Sequence, residues 1–401
     1  MDRRFLLLWA GQTVSGFGTQ ISLLAIPTIA ILGLHASPAQ TGLLGTLEFV
    51  WFPILGLTAG VVADRYRRRP ILIAADVARG CALLSIPSAF LFHTLTLSTL
   101  FVVATIVGIC SVFFEITYQS YLPDLVERDA LVHANSRLQM SASAAELGGM
   151  PLAGTLIGLF GAAVAVIADA LSFFASALSL ALIGGKDFSP DAAHERPLDM
   201  LRSGIRIVFH TPIIRNVTIC TAISNFASGI NIALWLQYAY RLIHVSPLQV
   251  GLIGGIGAIG ILLSSGVASR LAASLGFGKT VLLAAVGWTV GASLLPVAVV
   301  GSGLAILAAS NFLADFGSAL YNIVQVSLRQ RLVPVELQGR MNATIRTVAW
   351  GMLPLGSIIG GAVAQRIGIY PVMFVGIGCG LASIWVVLFS PILRYSEQPA
   401  Q

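Results

Sequence analysis

Six acids lie inside long apolar runs of this chain: Glu48, Asp76, Glu115, Glu146, Asp169 and Asp315. A carboxyl shut away from bulk water is a group that can take up a proton and give it back. Asp315 stands near the middle of its run, among Asn311, Ser318 and Asn322, and is the first choice for proton or substrate binding. Glu115 comes next, then Glu146 and Glu48. Asp76 has Arg79 one helical turn away and reads as a structural pair, while Asp169, with Ser172 one turn on, reads as a helix pin.

Uncharged polar residues gather in the same runs. One run carries Gln12, Ser15, Thr19 and Ser22 at steps of three and four, which share one helical face. Another carries Ser111, Glu115 and Tyr118. A third carries Ser224, Ser228, Asn231, Trp235 and Tyr238, and a fourth Asn311, Asp315, Ser318, Asn322 and Gln325. Polar groups at membrane depth are costly and turn towards a helix partner or a wet cavity. Four parallel stripes favour a shared aqueous path, with interhelical hydrogen bonding as the plainer alternative for any single Ser or Thr.

Other patterns imitate chemistry without its context. Gly255, Gly257 and Gly260 match a dinucleotide fingerprint, but they sit in an apolar run, and the next acid, Asp315, is far beyond the expected place about 20 residues on. Close helix packing is the better reading. Gly278-Lys279-Thr280 ends like a phosphate loop, but Ala273 stands where the earlier glycine is required. The four cysteines, Cys81, Cys110, Cys220 and Cys379, lie far apart in apolar runs, without metal-ligand spacing to any histidine. No catalytic triad, metal site or cofactor is implied, and the chain is not expected to be an enzyme.

The elements that must position these residues follow from composition. Of 401 residues, 56% are hydrophobic and 10% charged, against roughly 25% charged in soluble domains. Such a chain cannot cover a water-facing surface of its size, so the lipid bilayer is its solvent. The net charge of +6 does not mark a nucleic-acid binder, because the arginines sit between apolar runs, where they orient a membrane protein. A crossing helix needs about 20 mostly apolar residues. Twelve runs qualify: 5–33, 40–63, 71–92, 98–122, 135–159, 162–184, 213–240, 247–270, 280–300, 303–328, 341–365 and 370–393. Gly158, Phe160 and Gly161 mark the turn between the fifth and sixth. The N-terminal run continues to Gly33 without a small-residue cleavage site and is read as a retained span. Alternate gaps between runs hold 19 and 2 basic residues, which places both termini in the cytoplasm.

The chain also repeats itself. Leu125, Val126, Asp129 and Asn135 align with Leu332, Val333, Glu336 and Asn342 at a constant offset of 207. GMPLAG (149–154) is echoed by MLPLG (352–356). The expected organisation is an N-terminal six-helix half (1–184), a linker (185–212) and a C-terminal six-helix half (213–401). Within the linker, Leu198, Leu201, Ile205 and Phe209 share a helical spacing that suits an amphipathic helix on the membrane surface.

Gly60-Val-Val-Ala-Asp64-Arg65-Tyr66-Arg67-Arg68-Arg69 resembles the signature loop of the major facilitator superfamily. FFEITYQSYLPDLV (113–126), IADALSFFASAL (167–178) and LRSGIRIVFHTPIIRN (201–216) are similar to the branch of bacterial macrolide-efflux proteins and the enterobactin exporter. Arg67 departs from the usual glycine of the loop, and Ser269-Arg270 replaces its Asp-Arg pair in the second half. The resemblance covers nearly the whole chain. It implies an all-α membrane protein with twelve transmembrane helices in two pseudo-symmetric halves, whose first, fourth, seventh and tenth spans line a central cavity.

It further implies that Asp64 and Arg65 help close a gate, while Arg67, Arg68 and Arg69 face the cytoplasm and anionic headgroups. Gly56 and Gly60 are expected to let the second span pack closely. The Pro151 region fits both a proline kink and an antiporter signature. The expected activity is proton-coupled export of a small amphipathic or hydrophobic compound across the bacterial inner membrane by a monomer. A siderophore or peptide-like metabolite is the rival cargo. A membrane-embedded binding or signalling protein is the rival class.

Overall fold

The computed structural model describes residues 3–126, 130–184, 205–206 and 208–394. Most of the segment expected to form a surface helix, 196–210, lies outside the described residues; 205–206 and 208–210 are helical. The acidic positions 127 and 129 of the internal repeat also lie outside them.

The described residues form thirteen α-helices and no strand. They are α1 (Arg3–Thr28), α2 (Pro38–Phe49), α3 (Trp51–Arg65), α4 (Arg68–Leu91), α5 (Leu97–Leu125), α6 (Leu131–Phe160) and α7 (Ala162–Leu182) in the first half of the chain. The second half supplies α8 (Pro212–Arg241), α9 (Pro247–Leu275), α10 (Phe277–Leu294), α11 (Gly303–Leu332), α12 (Val335–Ile367) and α13 (Ile369–Leu388). Eleven spans are long and apolar enough to cross a bilayer, or twelve when the bent pair around α2 and α3 counts as one. That bend falls between Gly56 and Thr58, whereas proline accounts for the separate interruption between α2 and α3. Pro53 lacks an amide hydrogen and its ring crowds the carbonyl four residues back, at Phe49, where α2 ends. Pro38, Pro212 and Pro247 instead open helices, where a missing amide hydrogen costs nothing.

The two halves are built alike. In the first, α1 packs on α6 and α7, and α4 on α5 and α7; in the second, α8 packs on α12 and α13, and α10 on α11 and α13. Gly161 (φ 84°) turns the chain from α6 into α7, and Gly368 (φ 90°), 207 residues later, turns α12 into α13. Only glycine adopts that backbone cheaply. Burial phases match too. Phe5, Leu8, Gly11, Gly18 and Ala25 are buried on α1, as are Ile214, Val217, Cys220, Ala227 and Leu234 on α8, 209 residues on.

Two compact units result: Met1–Ser37, Leu47–His194 and Val245–Gly255 form one, and Pro38–Thr46, Glu195–His244 and Ile256–Gln401 the other. Each therefore takes a short segment from the opposite sequence half, the start of α2 or of α9. Those segments share the pattern Ser-Pro-X-Gln-X-Gly-Leu-X-Gly, at Ser37–Gly45 and Ser246–Gly254. Each follows a histidine held at positive φ, His35 at 53° and His244 at 59°.

The glycines of this pattern make close crossings. In unit 2, a Cβ on Gly361 of α12 would stand 3.0 Å from Gly42 Cα, and Ser357 Oγ donates to Gly42 O at 2.9 Å. In unit 1, a Cβ on Gly154 of α6 would stand 2.9 Å from Gly251 Cα. Gly154 and Gly361 are equivalent at the 207-residue offset. Small residues let backbones approach this closely in membranes.

Candidate functional site

The region of the signature loop is stapled by arginines. Arg68 Nη1 donates to Ser120 O at 2.8 Å and to Asp124 Oδ2 at 2.6 Å, tying the start of α4 to the end of α5. Arg69 Nε donates to Leu180 O at 2.7 Å, and its guanidinium also reaches Ala181 O, which ties α4 to the end of α7. Leu180 and Ala181 belong to the last turn of α7, where carbonyls run short of intrahelical donors, and Ser120 and Asp124 lie in the last two turns of α5. Arg68 and Arg69 therefore serve helix ends rather than pointing outward as expected; Arg65 and Arg67 are the exposed pair. Asp64 is half-buried at the end of α3. Gly60 is not the tight contact its type predicts, because a Cβ there would meet nothing within 4 Å. The close approach comes earlier, where Gly108 of α5 lies against the Leu47 and Glu48 carbonyls.

The α1 stripe also differs from expectation. Ser15 and Ser22 are buried, and Gln12 Nε2 donates to Ser176 Oγ of α7 at 3.1 Å. Gly11 and Gly18, on the same face, lie against Ser179 and against Ser172 and Asp169. This face is a seam between α1 and α7, not the wall of an open path. Thr19 alone of the four is exposed, and its hydroxyl donates to Ser15 O at 3.0 Å. Tyr238 is likewise sealed, fully buried with its hydroxyl donating to Leu295 O.

Other stripes stay open. On α11, Asn311 and Asp315 are half-buried while Ser318 and Asn322 are exposed, so this face points away from the core of unit 2. Asp315 leans on Gly257 of α9, where only a glycine leaves room for the carboxylate. Asn311 Nδ2 donates to Leu307 O at 3.1 Å. On α8, Ser228, Asn231 and Trp235 are half-buried. In unit 1, Glu115 of α5 is half-buried and accepts from Gln119 Nε2 at 3.0 Å, beside Tyr118, which stacks on Phe114 with centroids 5.9 Å apart. Glu146 is exposed on α6, and Glu48 is half-buried at the end of α2. Of the four coupling candidates, Asp315 and Glu115 thus sit in polar faces, while Glu146 and Glu48 are apart from them.

The most enclosed charges are those read as structural. Asp76 is wholly buried in α4, and Arg79 Nη2 donates to its Oδ1. Asp169 is buried in α7 and accepts at Oδ1 from Ser172 Oγ at 3.1 Å. Their enclosure was not legible, since spacing shows which residues share a face but not what covers it.

Comparison with known proteins fits this architecture. The profile of the family described as transmembrane secretion effector matches residues 2–400. The multidrug efflux pump Tap of Mycolicibacterium fortuitum is 26% identical over 97% of this chain and 96% of its own length. The enterobactin exporter EntS of Citrobacter koseri is 24% identical over 94% of this chain and 89% of its own. Among solved structures, a bacterial homologue of the iron transporter ferroportin superposes with a TM-score of 0.77 at 18% identity, over 96% of this chain and 98% of that one. At that identity the likeness establishes the fold, while the full-length profile match establishes descent: the chain belongs to the transmembrane secretion effector family of major facilitator transporters.

Proposed function

We propose that this transporter is a proton-coupled exporter of drugs or secondary metabolites, acting as a monomer in the bacterial inner membrane with both termini in the cytoplasm. The observation that carries the reading is the open polar face of α11, where Asp315 lies in line with Asn311, Ser318 and Asn322 inside a membrane-spanning helix. A carboxylate and three amide or hydroxyl groups at that depth suit a cargo that needs both charge and hydrogen bonds. The efflux and export functions named for the two relatives support the outward direction. Half-buried aromatic side chains on the polar faces of each unit, Tyr118 on α5 and Trp235 on α8, favour a bulky, partly apolar compound.

The test is accumulation of ethidium by proteoliposomes under an imposed pH gradient. Accumulation that collapses with the gradient supports the reading; uptake indifferent to the gradient overturns it. Asp315→Asn is expected to cut transport at least tenfold without loss of folded protein. Asp64→Asn, at the gate, is expected to slow transport while the protein still inserts. A siderophore is the second cargo, favoured by the likeness to the enterobactin exporter. Loss of an iron-chelating compound from the medium of a deletion strain would select it over a drug.

A further inference from the structure

Two carboxylates and one guanidinium are shut together inside unit 1. Asp76 is 0% exposed, Asp169 2% and Arg79 7%. The guanidinium lies flat between two rings, 4.3 Å from the Phe114 centroid and 4.2 Å from that of Phe173. Among the described residues, only Asp76 reaches it as an ion pair. Asp76 Oδ2 and Arg79 Nε have no partner at hydrogen-bond distance, and Ser176 of α7 lies against the Asp76 carboxyl. Asp169 sits on α7 one turn before Phe173, held by Ser172, with Ser22 of α1 against it. The charges that act on Asp169 are those of Arg79 and Asp76, and the charge that acts on Asp76 is that of Arg79. From α5 the titratable neighbour is Cys110.

Charge counting sets the chemistry. Two carboxylates and one guanidinium are one positive charge short of neutrality, and an uncompensated buried charge is costly. Among the described residues no second cation reaches the cluster. We propose that the Asp76–Arg79–Asp169 cluster is the proton-binding site of this transporter. This rests on the reading of proton-coupled export above, and it leaves Asp315 to the cargo. With one proton, on Asp169, the cluster is neutral. Release of that proton to water leaves one net negative charge and changes no other bond.

The experiment is infrared titration of the whole protein in lipid vesicles, reading the stretch of a protonated carboxyl. The wild type is expected to show such a band, lost as pH rises. Asp169→Asn should remove it, and Arg79→Lys should move its titration midpoint by at least one pH unit. Asp315→Asn and Glu115→Gln should leave it in place. Asp169→Asn keeps the size of the side chain and an oxygen for Ser172; should it fail to fold, the Arg79→Lys midpoint decides. A wild type without the band, or a band indifferent to Asp169 and Arg79 but lost with Asp315, overturns the site. The ethidium assay separates the two ideas. Gradient-driven transport without this band sinks the cluster alone, whereas the band with gradient-indifferent transport sinks the coupling reading alone.

Discussion

Unit 1 and unit 2 use one packing plan for two different interiors. Along α4, unit 1 buries Asp76 and Arg79; at the 209-residue offset, α10 carries Ala285 and Trp288. Asp169 of α7 corresponds, at 207, to Gly376 of α13. Even the fit between helices is inverted: Gly80 of α4 takes the Phe174 ring in unit 1, while Gly380 of α13 takes the Thr289 side chain in unit 2. The interior of unit 2 is held instead by hydroxyls. Tyr321 Oη lies 2.8 Å from Thr221 Oγ1 and donates to Val217 O at 3.0 Å. The same helix pairs therefore form with or without a charged centre, so the charges of unit 1 are not what the fold requires. Replacing a buried ion pair by packed apolar groups is often neutral or stabilising, and unit 2 has apolar residues at those positions.

The largest expected effect breaks that comparison at its centre. Asp76→Ala leaves Arg79 buried without its counter-charge and should destabilise unit 1 by about 3–5 kcal/mol. Asp76→Ala combined with Arg79→Met, which follows the apolar solution of unit 2, should restore most of that loss. Thermal unfolding in detergent reads both. A double variant as unstable as the single one would mean that the charged centre is needed for folding after all.

Next come the glycine crossings, where the two units are alike. Gly154→Leu and Gly361→Leu each force a side chain into a contact where even a Cβ would stand 2.7 Å from Pro247 O or 2.5 Å from Pro38 O, at about 1–3 kcal/mol for overpacking. Equal losses in the two variants, read by the same unfolding assay, would show that the repeat is energetic as well as geometric. Tyr321→Phe should cost less, about 1 kcal/mol, by removing the hydroxyl shared with Thr221 and Val217. A loss of several kcal/mol there would make the hydroxyl interior of unit 2 as demanding as the ionic one of unit 1.

Most of the fold was legible because span length and apolar runs are set by the bilayer itself. The exchange of segments was harder. Its signal, Ser-Pro-X-Gln-X-Gly-Leu-X-Gly at 37–45 and 246–254, was present in the chain, but at an offset of 209 rather than the 207 of the loop repeat. The α1 stripe was misread for a different reason. Gln12, Ser15, Thr19 and Ser22 do share a face, but Gly11 and Gly18 beside them mark that face as a helix contact. Glycines beside hydroxyls on α1 point to a neighbouring backbone, whereas Asn311, Asp315 and Asn322 are amides and a carboxylate that stay half-buried or exposed. Arg68 and Arg69 show the same limit. Charge bias orients a chain, but it does not reveal that a guanidinium finishes another helix's last turn.

The smallest stability effect belongs to the open face, and there the comparison becomes sharpest. Asn322 is exposed on α11, one turn from Ser318 and two from Asp315, so Asn322→Ala uncovers no buried partner. Surface changes of this kind stay within about 0.5 kcal/mol. Ser15→Ala on the α1–α7 seam is a comparably small change but lies in a sealed contact 6% exposed. If α11 carries the cargo path and the seam only holds helices together, Asn322→Ala should leave the melting temperature unchanged and still reduce ethidium transport several-fold. Ser15→Ala should do the opposite, lowering the melting temperature slightly with transport intact. Transport untouched by Asn322→Ala would remove the open face from the cargo path, whatever the ion coupling proves to be.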